Sequence, residues 1–193
     1  MFAVRLHGRG GQGVVTSAEM LSVAAFTEGK HAQALPTFGS ERTGAPVTSF
    51  CRIDDVSIRA HEPITSPDAV IIQDPTLLHV APVLVGTLPH TFVLINSSRP
   101  VEELGVEALV NGFRPGRVLT VPATELARHH IGRPLPGAPL LGAFSALTGL
   151  ISFDSVAAAI RQRFAGELGE SNVAAARAAY EAVVQPGSRY ADA

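Results

Sequence analysis

Apolar and polar positions alternate over residues 1–6, where Val4 and Leu6 interleave with Ala3 and Arg5, a pattern that predicts a strand entering a sheet core. From Val14 the periodicity changes. Val15, Ala18, Leu21, Ser22 and Ala25 fall at helical spacing and predict a helix over residues 14–26. Residues 47–53 read as a strand, Asp54-Asp55 as a turn and residues 56–60 as a returning strand, together a β-hairpin. Residues 69–73 form an unbroken apolar run bounded by Asp68 and by Asp74-Pro75, as expected of a central strand buried on both faces. Residues 91–96 and 117–121 repeat that pattern, and Pro82 limits any helix starting at Thr76 to a short one.

Beyond residue 121 the pattern is helical. Pro122-Ala123-Thr124-Glu125 opens a helix with Thr124 as the expected cap, and His129-His130 fall near its C-terminal end, where they favour the helix dipole. Residues 140–150 are almost uncharged, which predicts a helix buried on most sides, with another subunit as one candidate cover. Residues 153–164 are amphipathic, with Asp154 in the first turn and Arg161 and Arg163 in the last. Residues 172–184 are alanine-rich and stop before Pro186-Gly187, leaving residues 188–193 as an expected frayed tail after one domain over residues 1–187. This order predicts an α/β fold: a three-layer α/β/α sandwich with a mixed, mainly parallel sheet, one β-hairpin and a helical C-terminal third.

Composition narrows the function classes. The chain of 193 residues is long enough for a substantial core. Only 17% of residues are charged against 46% hydrophobic, so partner-covered apolar surface is expected. A formal net charge of −2 offers no case for nucleic acid or an anionic membrane. No stretch approaches the ~20 apolar residues of a membrane span, and no signal peptide is evident at Met1, so a cytoplasmic protein is expected. Cys51 is the only cysteine, so this chain alone cannot ligate an iron–sulfur cluster; its alternating apolar surroundings predict a buried structural thiol. Asp54 and Asp55 are read as turn residues rather than metal ligands.

The candidate chemistry lies between the first strand and the first helix. Gly8, Gly10 and Gly13 fit G-x-G-x-x-G in the strand–turn–helix context that gives the motif meaning. Glycines let a bulky anion approach the backbone, and the helix N-terminus adds N–H groups and a positive dipole end. The same turn can also serve only as tight packing or a subunit contact. The dinucleotide fingerprint further requires an acidic residue about 20 positions on, at the end of a second strand. Glu28 has that offset but falls where the helix ends, before a weak strand over residues 31–35, which argues against a simple NAD site. Residues 33–46 contain two glycines and two prolines and are read as a long irregular loop carrying Ser40, Glu41, Arg42 and Thr43, its length favouring function.

Four segments taken together carry a resemblance: His7-Gly8-Arg9-Gly10-Gly11-Gln12-Gly13, then Gly39-Ser40-Glu41-Arg42-Thr43-Gly44-Ala45-Pro46-Val47, then Asp74-Pro75-Thr76-Leu77-Leu78, then Leu141-Gly142-Ala143-Phe144. In that order, and collinear over residues 2–184, they resemble the gamma subunit of 2-oxoacid:acceptor oxidoreductases, nearest the pyruvate/2-ketoisovalerate:ferredoxin type. Pro136-Gly137-Ala138-Pro139 departs from the family's frequent Asn-Thr-Ala-Met, and Arg42-Thr43 stands where Arg-Arg or Arg-Gly is common.

The resemblance implies a complex that uses thiamine diphosphate to decarboxylate a 2-oxoacid oxidatively. An acyl-CoA is released and electrons pass through iron–sulfur clusters to ferredoxin or another acceptor. Pyruvate, branched-chain and aryl oxoacids such as phenylglyoxylate are all compatible. It implies that thiamine diphosphate, Mg and the clusters belong to alpha, beta and delta-type partner subunits. This chain would then help form a shared coenzyme A site while being inactive alone. The residues expected there are Gly8, Arg9, Gly10, Gly11, Gln12, Gly13, Ser40, Glu41, Arg42 and Thr43, with no catalytic residue and no metal ligand in this chain. In that arrangement Arg9 and Arg42 would grip phosphate or carboxylate, Gln12 would donate an amide hydrogen bond, and Glu41 would either stand by or hold Arg42 as an internal brace. The alternative is a stand-alone nucleotide-binding or adaptor protein with a Rossmann-like fold.

Overall fold

A computed structural model of the chain describes residues 1–36 and 43–185. Ser40, Glu41, Arg42 and the expected tail at residues 188–193 lie outside the described residues. The strands are β1 (Phe2–Arg9), β2 (His31–Pro36), β3 (Pro46–Asp54), β4 (Ala69–Ile72), β5 (Phe92–Asn96) and β6 (Val118–Val121). The helices among the described residues are α1 (Val14–Thr27), α2 (Leu77–Val80), α3 (Glu107–Val110), α4 (Ala123–Ile131), α5 (Gly137–Thr148), α6 (Phe153–Arg163) and α7 (Gly166–Val184), with a 3₁₀ turn at Val101–Glu103. The strands form one sheet in the order β2-β3-β1-β4-β5-β6. β1, β4, β5 and β6 are parallel, and β3 runs antiparallel to both of its neighbours. This is the mixed, mainly parallel α/β sheet with a helical C-terminal third that the sequence pattern predicts.

The alternation of side chains divides the core. On one face Val4, Leu6, Cys51, Ile53, Ile71 and Leu94 pack with α1 and α4–α7. On the other, Val70, Ile72, Val93 and Ile95 pack with Leu77, Leu78, Val83, Leu104 and Val106. The first layer is built of long helices, whereas the second consists of the four-residue helices α2 and α3, the 3₁₀ turn and irregular chain.

Several boundaries differ from the expectations. β1 runs on to Arg9, so the first two residues of the glycine motif are still strand. Residues 56–60 do not return as a strand. β3 is paired on one edge with β1 through eight positions and on the other with β2 through six, so no edge remains for them. The hairpin is therefore β2–β3, and residues 33–36, expected to be irregular, complete β2 because Ala32 and Ala34 pack against the core.

Thr124 does not cap α4. Its N–H donates to Asn96 Oδ1 (3.0 Å) and its Oγ1 accepts from Asn96 Nδ2 (2.8 Å), which fastens α4 to the end of β5. α5 begins earlier than expected, at Gly137, since Pro139 sits in the first turn, where its missing N–H breaks no intrahelical bond. α7 also starts earlier, at Gly166. The uncharged α5 is buried by its own chain. A Cβ on Gly142 would lie 2.0 Å from the Ala176 carbonyl oxygen, so α5 and α7 are in backbone contact there.

Candidate functional site

β1 and β4 are parallel neighbours, in register from Val4 with Ala69 to His7 with Ile72, so their C-terminal ends open side by side. α1 leaves β1 for one face of the sheet and α2 leaves β4 for the other. Such a parting of connections at the carboxyl ends of parallel strands creates the crevice where open α/β sheets take ligands.

The glycine turn is shaped by that crevice. A Cβ on Gly8 would stand 2.6 Å from Val14 Cγ2 and 3.2 Å from Gln73 Cβ, so only glycine fits between the turn and the end of β4. Gly11 (φ 94°) and Gly13 (φ 77°) hold left-handed backbone that strongly favours glycine. Gly13 occupies the cap position of α1 with no side chain to offer, and no side-chain cap satisfies the first turn among the described residues.

The turn is stapled on two sides. Gly10 N donates to Ala45 O (2.9 Å) and Gly44 N donates to Gly10 O (3.1 Å), which brings the exposed Thr43 and the end of the 37–45 connection alongside it. On the other side Asp74 is the hub. Its Oδ2 accepts from Arg9 Nε (3.0 Å) and Gln12 Nε2 (3.2 Å), and its Oδ1 accepts from Thr76 N (3.0 Å) and Thr76 Oγ1 (2.5 Å). Arg9 also donates to Gly44 O (3.0 Å) and to Thr76 Oγ1 (2.8 Å), and its own N–H donates to Gln12 Oε1 (2.8 Å). Burial alone would raise the Asp74 carboxyl. The Thr76 side chain and backbone, Gln12 and the Arg9 charge outweigh it and hold the group below the usual carboxylate range.

The structure thus brings together Gly8, Arg9, Gly10, Gly11, Gln12, Gly13 and the approach of Thr43. Three of the five N–H groups of the Arg9 guanidinium are spent on the protein, and two remain. Gln12 uses both ends of its amide within the turn. Asp74 and Thr76 belong to the site although the sequence pattern does not mark them as site residues. The available signal was the position of Gln73-Asp74 directly after an unbroken apolar strand, the counterpart of the glycine turn after β1. Glu28, the residue at the dinucleotide offset, instead accepts from Ser152 N (2.7 Å) and ties the end of α1 to the start of α6.

Residues 3–182 match the family described as pyruvate ferredoxin/flavodoxin oxidoreductase. The chain belongs to that family. It is 46% identical over 181 residues, 94% of this chain and 96% of the relative, to the pyruvate/ketoisovalerate oxidoreductases common subunit gamma of Pyrococcus furiosus. The crystal structure of pyruvate oxidoreductase subunit PORC from Thermotoga maritima is similar at TM-score 0.77 and 33% identity, over 93% of this chain and 95% of that one. A 2-oxoglutarate:ferredoxin oxidoreductase from Magnetococcus marinus, solved with 2-oxoglutarate, coenzyme A and succinyl-CoA bound, contains the same fold. Its TM-score is 0.71 at 17% identity, over 97% of this chain and 32% of that longer chain. Within the oxidoreductase family the chain is of the gamma-subunit type. No helix among the described residues is long and apolar enough to cross a membrane.

Proposed function

We propose that this chain is the accessory gamma subunit of a thiamine-diphosphate-dependent 2-oxoacid:acceptor oxidoreductase. Its glycine turn and the Ser40–Thr43 loop form the coenzyme A side of a shared site. The complex decarboxylates a 2-oxoacid oxidatively, releases an acyl-CoA and passes electrons to ferredoxin or another acceptor. Its alpha, beta and delta-type subunits hold thiamine diphosphate, Mg and the clusters. A single cysteine, fully buried, makes this chain unfit to hold a cluster of four thiolates.

The observation that carries the reading is the turn itself: an uncapped helix N-terminus behind left-handed Gly11 and Gly13, at the crevice between β1 and β4. Such a terminus favours a phosphate, and coenzyme A brings several. The fold supports the nucleotide-like alternative equally, but the gamma-type relatives favour a place in the oxidoreductase.

The test is kinetic and uses the complex with its partner subunits. Losing a charge-assisted contact costs about 1.5–3 kcal/mol, roughly 10- to 150-fold in affinity. Arg42→Ala is expected to raise KM for coenzyme A by that factor and leave KM for the oxoacid unchanged. Arg42→Lys recovers little, because a point charge does not reproduce a bidentate fork. Unaltered coenzyme A kinetics in Arg42→Ala assign Arg42 to an internal brace with Glu41.

A further inference from the structure

Gln73 directly follows β4 and is 1% exposed. It is fastened to three other elements. Its N–H donates to His7 O (2.7 Å), which extends the ladder between β1 and β4. Its carbonyl oxygen accepts from Asn96 Nδ2 (2.8 Å) at the end of β5. Its Nε2 donates to the buried Ser17 Oγ (2.9 Å) on α1, and Ser17 Oγ donates in turn to the carbonyl oxygen of Gly13 (3.0 Å), the cap residue of that helix. The Gln73 stem lies against the glycine turn, where a Cβ on Gly8 would stand 3.2 Å from Gln73 Cβ. The start of α5 closes on the same pair, where a Cβ on Gly137 would stand 2.4 Å from Ser17 Oγ.

A serine hydroxyl bonded to the carbonyl four residues back is ordinary in a helix. The bond it accepts from another element is not, and folding alone does not account for the amide that makes it. Gln73 Oε1 is buried and accepts no hydrogen bond among the described residues. Enclosing such an acceptor costs free energy, whereas an apolar side chain of the same shape is nearly neutral or stabilising. What the amide does reach is the glycine turn. The Gly13–Val14 peptide is planar and trans, so its C=O and N–H point in opposite directions. The relay from Gln73 through Ser17 holds the C=O on the helix side. The Val14 N–H, one of the donors that a helix start leaves unsatisfied, then faces the crevice.

We propose that Gln73 and Ser17 are positioning residues for the anionic ligand of the glycine turn. Neither touches the ligand. Their relay fixes the Gly13–Val14 peptide, and with it the aim of the Val14 N–H at a ligand phosphate. This inference rests on the reading of the turn as the coenzyme A side of a shared site.

The experiment uses the complex with its partner subunits. Gln73→Met is expected to raise KM for coenzyme A roughly 2- to 12-fold, the equivalent of one neutral hydrogen bond. kcat and KM for the oxoacid hold, and Tm stays level or rises because the unmet acceptor is gone. A mere brace of the fold gives the opposite pair, a lower Tm with coenzyme A kinetics unmoved, and that result overturns the proposal. Ser17→Ala is expected to raise the same KM and decides by the same criterion if Gln73→Met does not assemble. Because the two act through one relay, the double variant is expected to be no worse than the worse single one. Effects that multiply in full overturn the relay. Gly11→Ala, which strains the turn itself at φ 94°, separates the two levels of failure. If it raises KM for coenzyme A while Gln73→Met and Ser17→Ala do not, only the positioning role falls. If it leaves that KM unmoved, the reading of the turn falls and takes this inference with it.

Discussion

Arg9 and Asp74 are 65 residues apart in the chain, and their side chains meet at 3.0 Å across the ends of two parallel strands. The contact joins the glycine turn to the β4 turn, and it is asymmetric. Asp74 also serves Gln12 and Thr76, so it has more partners to strand than Arg9 does. Asp74→Ala is expected to cost about 1–3 kcal/mol. Arg9→Ala is expected to cost less, because Arg9 is partly exposed and solvent screens its ionic share. The Asp74 carboxyl is held low in the folded chain, so its contribution is present above the unfolded value near 4 and fades as pH falls through the folded one. Urea midpoints of wild type and Asp74→Asn at pH 7 and pH 3 check this, and the gap must narrow in acid.

Gly142 tests the contact between α5 and α7. A Cβ there would stand 2.0 Å from the oxygen and 2.7 Å from the carbon of the Ala176 carbonyl, both backbone atoms that cannot turn aside. Gly142→Ala is expected to destabilise by about 1–3 kcal/mol or more, a fall in Tm of roughly 2–4 °C for each kcal/mol. Gly112→Ala is the contrast. Nothing lies within 4 Å of a Cβ at that position, and its stability should stay within about 0.5 kcal/mol of wild type. Equal Tm shifts in the two variants would show that the helices part without cost.

The apolar strands β4 and β5 were legible because their local pattern already states that both faces are buried; β6 was legible as a strand, but it forms the edge of the sheet and only Val121 in it is buried, so the expected central position is not met there. The glycine turn was legible because left-handed backbone at Gly11 and Gly13 demands the residue type. What stayed hidden depends on contacts distant in sequence. Residues 56–60 alternate like a strand, yet β1 and β2 already fill both edges of β3. β2 reads weakly because His31, Gln33 and Pro36 interrupt it, and it exists as the partner of β3. Asp74 reads as a turn residue until β1 is known to lie beside β4. α7 starts early despite Gly166 and Gly169, because a Cβ on Gly169 would meet the Phe164 carbonyl oxygen at 2.2 Å and the glycine permits that close turn.

Cys51 is expected to behave as core and not as a nucleophile. It is fully buried between β1 and β2, and burial pushes its thiol up to about 12. A thiol reagent should therefore label it only as fast as the chain unfolds. Above the ordinary thiol value of about 8.5, the unfolded chain releases a proton that the folded chain retains. Stability carried by Cys51 is therefore full below that pH and lost as pH rises toward the folded value. Cys51→Ala should lack this alkaline slope between pH 8 and 10. Rapid labelling of the folded chain would contradict the burial.

His7 gives the sharpest acid signature. Its ring is buried next to the glycine turn, with Nδ1 at 3.2 Å from Thr48 Oγ1 and Nε2 without a partner. Burial, and then the positive charge of Arg5, lower its pKa to about 4. The unfolded chain takes up this proton near 6.5, so between pH 6.5 and about 4 the unfolded state is favoured by a proton the folded state refuses. Stability should fall by about 2 kcal/mol between pH 7 and pH 5 on this account alone, at about 1.4 kcal/mol per pH unit below 6.5. Carboxylates titrate mostly below that window, and His7→Asn removes the ring while keeping a polar side chain. The wild-type urea midpoint should drop more than that of His7→Asn across the window, while the folded His7 ring resonance stays unmoved to pH 5. If the ring titrates near 6.5 in the folded chain, or both proteins lose stability equally, His7 is hydrated in solution and the buried neutral ring is wrong.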